Sequence, residues 1–325
     1  MAVYTEIDDE MLYGFLSDYN VGQPLSFQGI AEGVENSNYL LRTDQAHFIL
    51  TLYEKRVEAA DLPFFIGLMQ HLADQGIPCP LPVPNKSGEM LSQLAERPAA
   101  MVTFLDGTTA WFPNVAKCAE AGTALANLHL KSAGFEGQRA NALGPSGWQQ
   151  LFSDITQIAD QLPAHLPANL LRETEKTLHQ IIQKWPTDLP AGIIHADLFP
   201  NNALFVGDKL TGVIDFYFAC RDIFAYDLAV CLNSWCFEKD NSFNITKSKA
   251  LVSGYQEMRP LNEAEIDALP ILCAGSALRF FLTRLYDLIN TPADALVKPH
   301  DPMEYWSKLR FHLAAPSASS YGIGL

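Results

Sequence analysis

The run His195-Ala196-Asp197-Leu198-Phe199-Pro200-Asn201-Asn202, followed by Val213-Ile214-Asp215-Phe216, sets an aspartate five residues before an asparagine and a second aspartate at the end of an apolar, strand-like segment. These residue types at this spacing suit phosphoryl transfer. One carboxylate faces an acceptor hydroxyl, while an amide oxygen and a second carboxylate hold magnesium under the phosphates of ATP. Asp197 is the candidate to accept or orient the hydroxyl proton. Asn202 and Asp215 are the candidate magnesium ligands, because magnesium takes oxygen donors and keeps phosphates and waters in its shell. His195 reads as structural, holding the loop through its ring nitrogens.

Short strands are expected to carry these residues, over 192–195, 203–206 and 210–215, with Gly207 and Asp208 turning between the last two. Upstream, apolar spacing predicts an amphipathic helix over 8–19 and strands over 25–30, 38–43 and 47–53. A helix over 58–74 follows, ended by Gly76 and the prolines at 78 and 80. Residues 85–88 read as a hairpin turn leading to a strand at 91–94, and 99–105 as a further strand. From Pro113 the pattern is helical: 114–130, 146–162, 170–185, 226–237, 246–258, 263–289 with a break expected near Pro270, and 302–313. The last residues read as frayed. The fold expected is α+β and bilobal, with a small antiparallel-sheet N-lobe over 1–106 and a larger, mainly helical C-lobe over 107–325.

Hydrophobic residues make up 48% of the 325, enough to give each lobe a core. The formal net charge of −15 argues against nucleic acid, whose affinity comes from Lys and Arg. It leaves ATP open, since local cations, backbone amides and magnesium suffice for a triphosphate. The six cysteines show no Cys-x-x-Cys spacing and read as small buried hydrophobes. The first residues have no basic head or apolar run, and no uncharged apolar stretch approaches spanning length. The expectation is a cytoplasmic protein with no membrane partner, as monomer or dimer.

The aspartate-to-asparagine interval is that of the protein-kinase catalytic loop, which has Asp-Phe-Gly further on. Here His-Ala-Asp replaces His-Arg-Asp, and Tyr217 stands where the Gly would be. The chain instead resembles the aminoglycoside phosphotransferase and choline kinase superfamily, with its His-Gly-Asp-Leu-His-x-x-Asn and Ile-Asp-Phe or Ile-Asp-Trp signatures. Within it, residues 33–41, 49–56, 61–65, 194–199, 214–220, 232–240 and 275–287 resemble the bacterial homoserine kinases of this fold. The resemblance implies an ATP- and Mg2+-dependent kinase whose acceptor is the small molecule L-homoserine, giving O-phospho-L-homoserine for threonine biosynthesis. It also implies that Asp227 braces the catalytic loop.

On the nucleotide side, the turn containing Gly33, Ser37 and Asn38 is expected to cover the phosphates with backbone amides and polar side chains. The third-strand position that carries a phosphate-binding Lys in protein kinases is Thr51, which leaves Lys55 or Arg56 at the strand end as the candidate cation. The main chain of 101–106, including Thr103 and Leu105, is expected to meet adenine at the hinge. For the acceptor, Arg221, Arg279 and Arg284 are candidates for a carboxylate, and Asp222 and Asp287 for an ammonium. Arg279 and Arg284 stand out because their surroundings are apolar, where a charge needs a partner. Choline, an aminoglycoside, methylthioribose or another amino alcohol are alternative acceptors, and a non-catalytic kinase-like scaffold is the non-enzymatic alternative.

Overall fold

The structure, a computed structural model, describes residues 5–30, 36–54, 58–292 and 298–324. The first helix, α1 (Asp9–Leu16), starts where the Asp8 side chain accepts the Met11 N–H. An eight-residue helix is marginal alone. Burial of Leu12, Phe15 and Leu16, about 2 kcal/mol each, anchors it to the sheet behind.

That sheet comprises β1 (Pro24–Gly29), β2 (Ser37–Thr43) and β3 (His47–Leu52), then, after α2 (Leu62–Asp74), β4 (Ser92–Leu94) and β5 (Arg97–Thr103). Its order is β1-β2-β3-β5-β4, with antiparallel neighbours. Tyr39, Leu41, Phe48, Leu50, Leu52 and Met101 pack with α1 on one face. Alternation puts Thr51 and Tyr53 on the other, where Tyr53, Ala100 and Val102 join the core of α2 and the rest of the molecule.

The larger part begins with β6 (Thr108–Thr109), α3 (Val115–Lys131), α4 (Pro145–Gln157) and α5 (Leu170–Gln183). The site strands follow: β7 (Ala191–Ile194), β8 (Ala203–Val206), β9 (Lys209–Val213) and β10 (Cys220–Ile223). Then come α6 (Phe224–Trp235), α7 (Ile245–Met258), α8 (Glu263–Asn290) and α9 (Pro302–Ala314). Helix α6 is buried nearly all round and forms the central pillar. Helices α3 and α7 touch through glycines: a Cβ on Gly122 would stand 1.9 Å from the Leu251 carbonyl oxygen, and one on Gly254 2.2 Å from that of Ala119. An antiparallel-sheet N-terminal region and a helical C-terminal region make the α+β, bilobal arrangement expected of the chain.

Several local expectations change. The turn at 85–88 exists, closed by the Gly88 N–H to the Asn85 carbonyl at 2.9 Å. The hairpin itself turns at Ala95 and Glu96, both left-handed with φ of 50° and 59°. Pro270 lies inside α8 without ending it; the Asn262–Glu265 capping box starts that helix. Strand β10, absent from the expected elements, pairs antiparallel with β7. The tail is docked: residues 318–321 form a 3-10 turn with Tyr321 fully buried.

Tyr321 reaches a buried polar hub. Asn233 donates through Nδ2 to the carbonyls of Ala229 (3.1 Å) and Cys273 (3.0 Å), and its own carbonyl accepts Lys308 Nζ at 3.1 Å. Its Oδ1 pairs with His312 Nε2 at 3.0 Å, and His312 Nδ1 pairs with the Tyr321 hydroxyl at 3.0 Å. Burial, helped by Lys308, lowers the His312 pKa to about 3, so the ring is neutral.

Helix α8 is long and apolar enough to cross a membrane, but 72% of its most apolar window is buried inside the fold. All six cysteines are buried and free.

Candidate active site

Strand β7 delivers the loop that carries Asp197 and Asn202. Ile193 and Ile194 are buried, and Ile194 pairs with Cys220 of β10, so the chain leaves the sheet at His195 with a fixed direction. The Asp197 N–H donates to His195 Nδ1 at 3.3 Å. That assigns the ring proton to Nε2, which donates to the Ile214 carbonyl at 3.0 Å. Burial lowers the pKa of this ring, so it is a neutral bridge between the loop and the segment carrying Asp215. The structural reading of His195 holds.

Ala196 is left-handed, with φ of 62°. Its N–H donates to Asp227 Oδ1 at 2.8 Å, and the His195 N–H to Asp227 Oδ2 at 2.7 Å. Its carbonyl accepts from Arg279 Nη1. Asp227 also pairs with His129 Nε2 at 3.0 Å, and His129 Nδ1 with the Tyr255 hydroxyl at 2.8 Å. Burial lowers the His129 pKa, so neutral His129 donates through Nε2 and accepts from Tyr255. Burial alone would raise Asp227, but the hydrogen bonds it accepts from His129 Nε2 and the His195 N–H outweigh it and hold the carboxylate below its usual range. His129 was not legible as part of the site: it sits on α3, with only its place on that helix's buried face to mark it.

After Asp197 a 3-10 turn over Pro200–Asn202 brings Asn202 back toward it. Asn202 Nδ2 donates to the Asp197 carbonyl at 2.8 Å and to Asp197 Oδ2 at 3.2 Å. The Asn202 carbonyl accepts the Ile214 N–H at 2.9 Å, which sets Asn202 beside the Asp215 segment. With its nitrogen committed to Asp197, Asn202 has its amide oxygen to offer a cation. The floor of the loop is tied by Trp235 Nε1, which donates to the Leu198 carbonyl at 2.8 Å.

Asp215 is left-handed, with φ of 66°. Its carboxyl is open to solvent yet walled in by the protein, and this desolvation pushes its pKa up to about 6, against the Tyr217 N–H that favours the charged form. A carboxylate held at such a cost fits a divalent cation. Among the described residues no three His, Cys, Asp or Glu converge to hold a metal by themselves. An amide oxygen and one carboxylate completed by phosphates and water is instead the donor set magnesium favours.

The remaining expected residues divide. Gly33, Lys55 and Arg56 lie outside the described residues. Thr51 Oγ1 donates to Asn38 Oδ1 at 2.7 Å, so these two nucleotide-side candidates are joined. Ser37 points the other way. Its hydroxyl donates to Glu54 Oε1 at 2.8 Å and accepts the Thr5 N–H at 3.0 Å on the α1 side. Neighbouring strand residues face opposite sides, so Ser37 and Asn38 do not share one site. Thr103 Oγ1 accepts the Leu81 N–H at 2.9 Å, and Leu105 packs against Gly212, where a Cβ would be 2.9 Å away.

Among the residues expected to meet the acceptor, Arg279 reaches the loop, with Nη2 3.9 Å from Asp197 Oδ1 and its guanidinium over the Phe280 ring at 4.2 Å. Arg284, about 140° further round the helix, pairs with Glu304 Oε2 at 2.6 Å and the Asp301 carbonyl at 3.1 Å. Arg221 and Asp222 lie on β10 and hold the 135–141 segment. Arg221 Nη2 donates to the Phe135 carbonyl at 3.0 Å, and Asp222 Oδ2 accepts Asn141 Nδ2 at 2.7 Å.

A model of a phosphotransferase enzyme family matches residues 26–261. The chain is 56% identical to a homoserine kinase of Parvibaculum lavamentivorans and 55% identical to one of Agrobacterium fabrum, over 323 residues and 99% of each chain in both cases. Its fold is similar to that of an amicoumacin kinase in complex with AMP-PNP and Ca2+, with a TM-score of 0.71 at 15% identity, covering 94% of this chain and 92% of that one. The chain belongs to the phosphotransferase enzyme family and, within it, to the homoserine kinases.

Proposed function

We propose that the chain transfers the γ-phosphoryl group of ATP to the hydroxyl of L-homoserine, giving ADP and O-phospho-L-homoserine for threonine biosynthesis. The acceptor is supported by the relatives' names over nearly the whole chain. The chemistry is supported by one observation: Asn202 spans Asp197 with its amide nitrogen while its carbonyl is bonded beside Asp215. Asp197 faces the acceptor and takes its proton as the oxygen–phosphorus bond forms and the bridging oxygen leaves with ADP. Asn202 and Asp215 would hold Mg2+, which neutralises charge on the phosphates. The Asn38–Thr51 face of the sheet and the hinge residues Thr103 and Leu105 line the nucleotide side. Arg279, beside Asp197, and Arg284 are placed on the acceptor side.

Arg221 and Asp222 are assigned to holding the 135–141 segment instead, because their polar atoms are already engaged there. The lobe boundary is placed at Asp106–Gly107, where a Cβ on Gly107 would stand 2.7 Å from Thr211 Oγ1. A cytoplasmic location goes with this reading.

The test is ADP release from ATP–Mg2+ with L-homoserine, set beside choline, L-serine, methylthioribose and kanamycin. Homoserine-dependent turnover that falls at least about 100-fold in Asp197→Asn, with nucleotide still bound, is expected. Turnover with another acceptor and none with homoserine would overturn the substrate, and near-normal turnover in Asp197→Asn would overturn the base.

A further inference from the structure

One arginine outside the site described above reaches several elements at once. Arg139 lies in the 135–141 segment that follows α3. Its Nε donates to Asp61 Oδ2 at 2.6 Å, and its Nη1 donates to the Ala219 carbonyl at 3.1 Å. Its guanidinium sits 4.9 Å from the centre of the Phe65 ring. Its own carbonyl accepts the Arg221 N–H at 2.7 Å, which moors it to β10. Asp61 stands at the N-cap of α2, where an aspartate commonly caps the helix with its carboxylate. Here it makes no such bond; the carboxylate goes to Arg139 instead. Ala219 is fully buried and closes the 3-10 turn of Phe216–Phe218 that Asp215 opens. Phe65 meets Tyr217 of that turn edge-to-face, centroids 5.7 Å apart. The run Asp61-Leu-Pro-Phe-Phe65 thus faces the Asp215 turn at both its ends.

We propose that Arg139 is a positioning residue: by joining Asp61 to the Ala219 carbonyl it couples the start of α2 to the turn that begins at Asp215, and so holds Asp215 in the geometry that takes the nucleotide–Mg2+ complex. In protein kinases the helix after the third strand is set by an ion pair with that strand's lysine. Here the strand position is Thr51, and α2 makes its ion pair at the helix start, with an arginine from beyond α3. The need for a tether is local. Asp215 has a Cβ yet holds a left-handed φ of 66°, a conformation that persists only when its surroundings fix it. An arginine suits the task because its planar fork holds two partners in a fixed relation, which a lysine's single ammonium does not. Removing it also strips a charge-assisted hydrogen bond from a buried carbonyl.

The inference rests on Asp215 as a metal ligand, so Asp215→Asn is carried as a control and binding is read apart from the acceptor. Titration calorimetry measures AMP-PNP binding, with and without Mg2+, to the parent, Asp61→Asn, Arg139→Gln, their double variant and Asp215→Asn. The temperature is one at which circular dichroism shows each protein folded. Steady-state KM values for ATP and acceptor are taken on the same samples. Arg139→Gln is expected to weaken AMP-PNP–Mg2+ about 10-fold, with binding in the absence of Mg2+ changed less than about two-fold. The ATP KM rises with it, while the acceptor KM stays near the parent's. Asp61→Asn leaves the Ala219 bond in place and is expected to weaken AMP-PNP–Mg2+ about three-fold. Both changes break one link, so the double variant is expected to bind no more weakly than Arg139→Gln. A residue that only stabilised the fold would lower the melting midpoint and leave the folded protein's affinity for the Mg2+ complex unchanged.

Parent-like AMP-PNP–Mg2+ binding in Arg139→Gln, an equal loss with and without Mg2+, or single effects that multiply in the double variant would overturn the proposal. If Arg139→Gln does not fold, Asp61→Asn alone must show the weakening. Loss of the fold in both would mark the pair as a folding element and overturn the proposal as well. Parent-like binding in Asp215→Asn would overturn the metal assignment itself, and this proposal with it. A wrong acceptor would instead leave every protein silent with homoserine while the same binding differences persisted, and the proposal would stand.

Discussion

Asp227 grips Ala196 by its backbone, with Oδ1 accepting the Ala196 N–H at 2.8 Å while Ala196 holds a left-handed φ of 62°. Arg279 closes on the other side of the residue, at its carbonyl. The peptide that precedes Asp197 is thus fixed from two helices, α6 and α8, and Asp197 inherits its aim from them.

A side chain in this conformation costs about 1 kcal/mol or more. Ala196→Gly removes that strain, although added freedom in the unfolded chain offsets part of the gain. The expected change in thermal midpoint lies between zero and about +3 °C. Ala196→Val, with a branched Cβ, is expected to lower the midpoint by several degrees and cut turnover. Melting curves of the two variants side by side check this; equal midpoints would mean the left-handed φ is not maintained in solution.

Asp227 is a buried carboxylate satisfied by N–H donors from His195, Ala196 and His129. Asp227→Asn replaces one acceptor oxygen by a donor facing donors, and a loss of about 3 kcal/mol is expected. Because the carboxyl is held below its ordinary value of 3.8, its contribution is present above that pH and fades as pH falls through the folded-state value. Denaturant unfolding of parent and variant should differ at pH 7, and the gap should narrow in acid.

Asp215 behaves in the opposite sense. With its folded pKa raised from 3.8 to about 6, the metal-free protein binds the extra proton in the native state, so this residue's contribution is fully present below pH 3.8 and lost as pH rises through 6. Metal-free Asp215→Asn should therefore melt higher than the parent at pH 8, with the difference closing toward pH 4. Nucleotide with Mg2+ should protect the parent and leave the variant little changed. A variant that melts lower than the parent at pH 8 would place the carboxyl in a more polar setting than the structure gives it.

The Trp235–Leu198 hydrogen bond is the loop's lower anchor. Trp235→Phe leaves the Leu198 carbonyl with only the weak Cys231 thiol at 3.6 Å. A stability loss of about 1–2 kcal/mol is expected, with a lower kcat at nearly constant KM for ATP. Steady-state kinetics with denaturant unfolding separates the two effects; unchanged kcat would show that the loop keeps its aim without this bond.

Much of the site was legible in the chain because it is local. Strands β7, β8 and β9 and the turns between them fall close to where apolar runs and the Gly207 turn put them, and the Asp197–Asn202 spacing needs only one 3-10 turn to close. What escaped depends on distant partners. Strand β10 spans Cys-Arg-Asp-Ile, four residues without clean alternation, so Arg221 and Asp222 read as charges free to meet a substrate; only pairing with β7 makes them part of an edge. The Ala95–Glu96 hairpin lacks the glycine or asparagine that announces such a turn. Ser37 was legible and misread, since strand alternation already separates it from Asn38. The buried tail is fixed by His312 and the hub at Asn233, which no pattern of neighbours along the chain reveals.

That hub constrains how the sequence can drift. Asn233 comes from α6, Lys308 and His312 from α9 and Tyr321 from the C-terminal turn, and each satisfies a polar atom that another would leave stranded in the core. A change at one is penalised until a second compensates. These positions should vary in concert among related sequences, as a correlated set, while the apolar residues around them exchange one at a time.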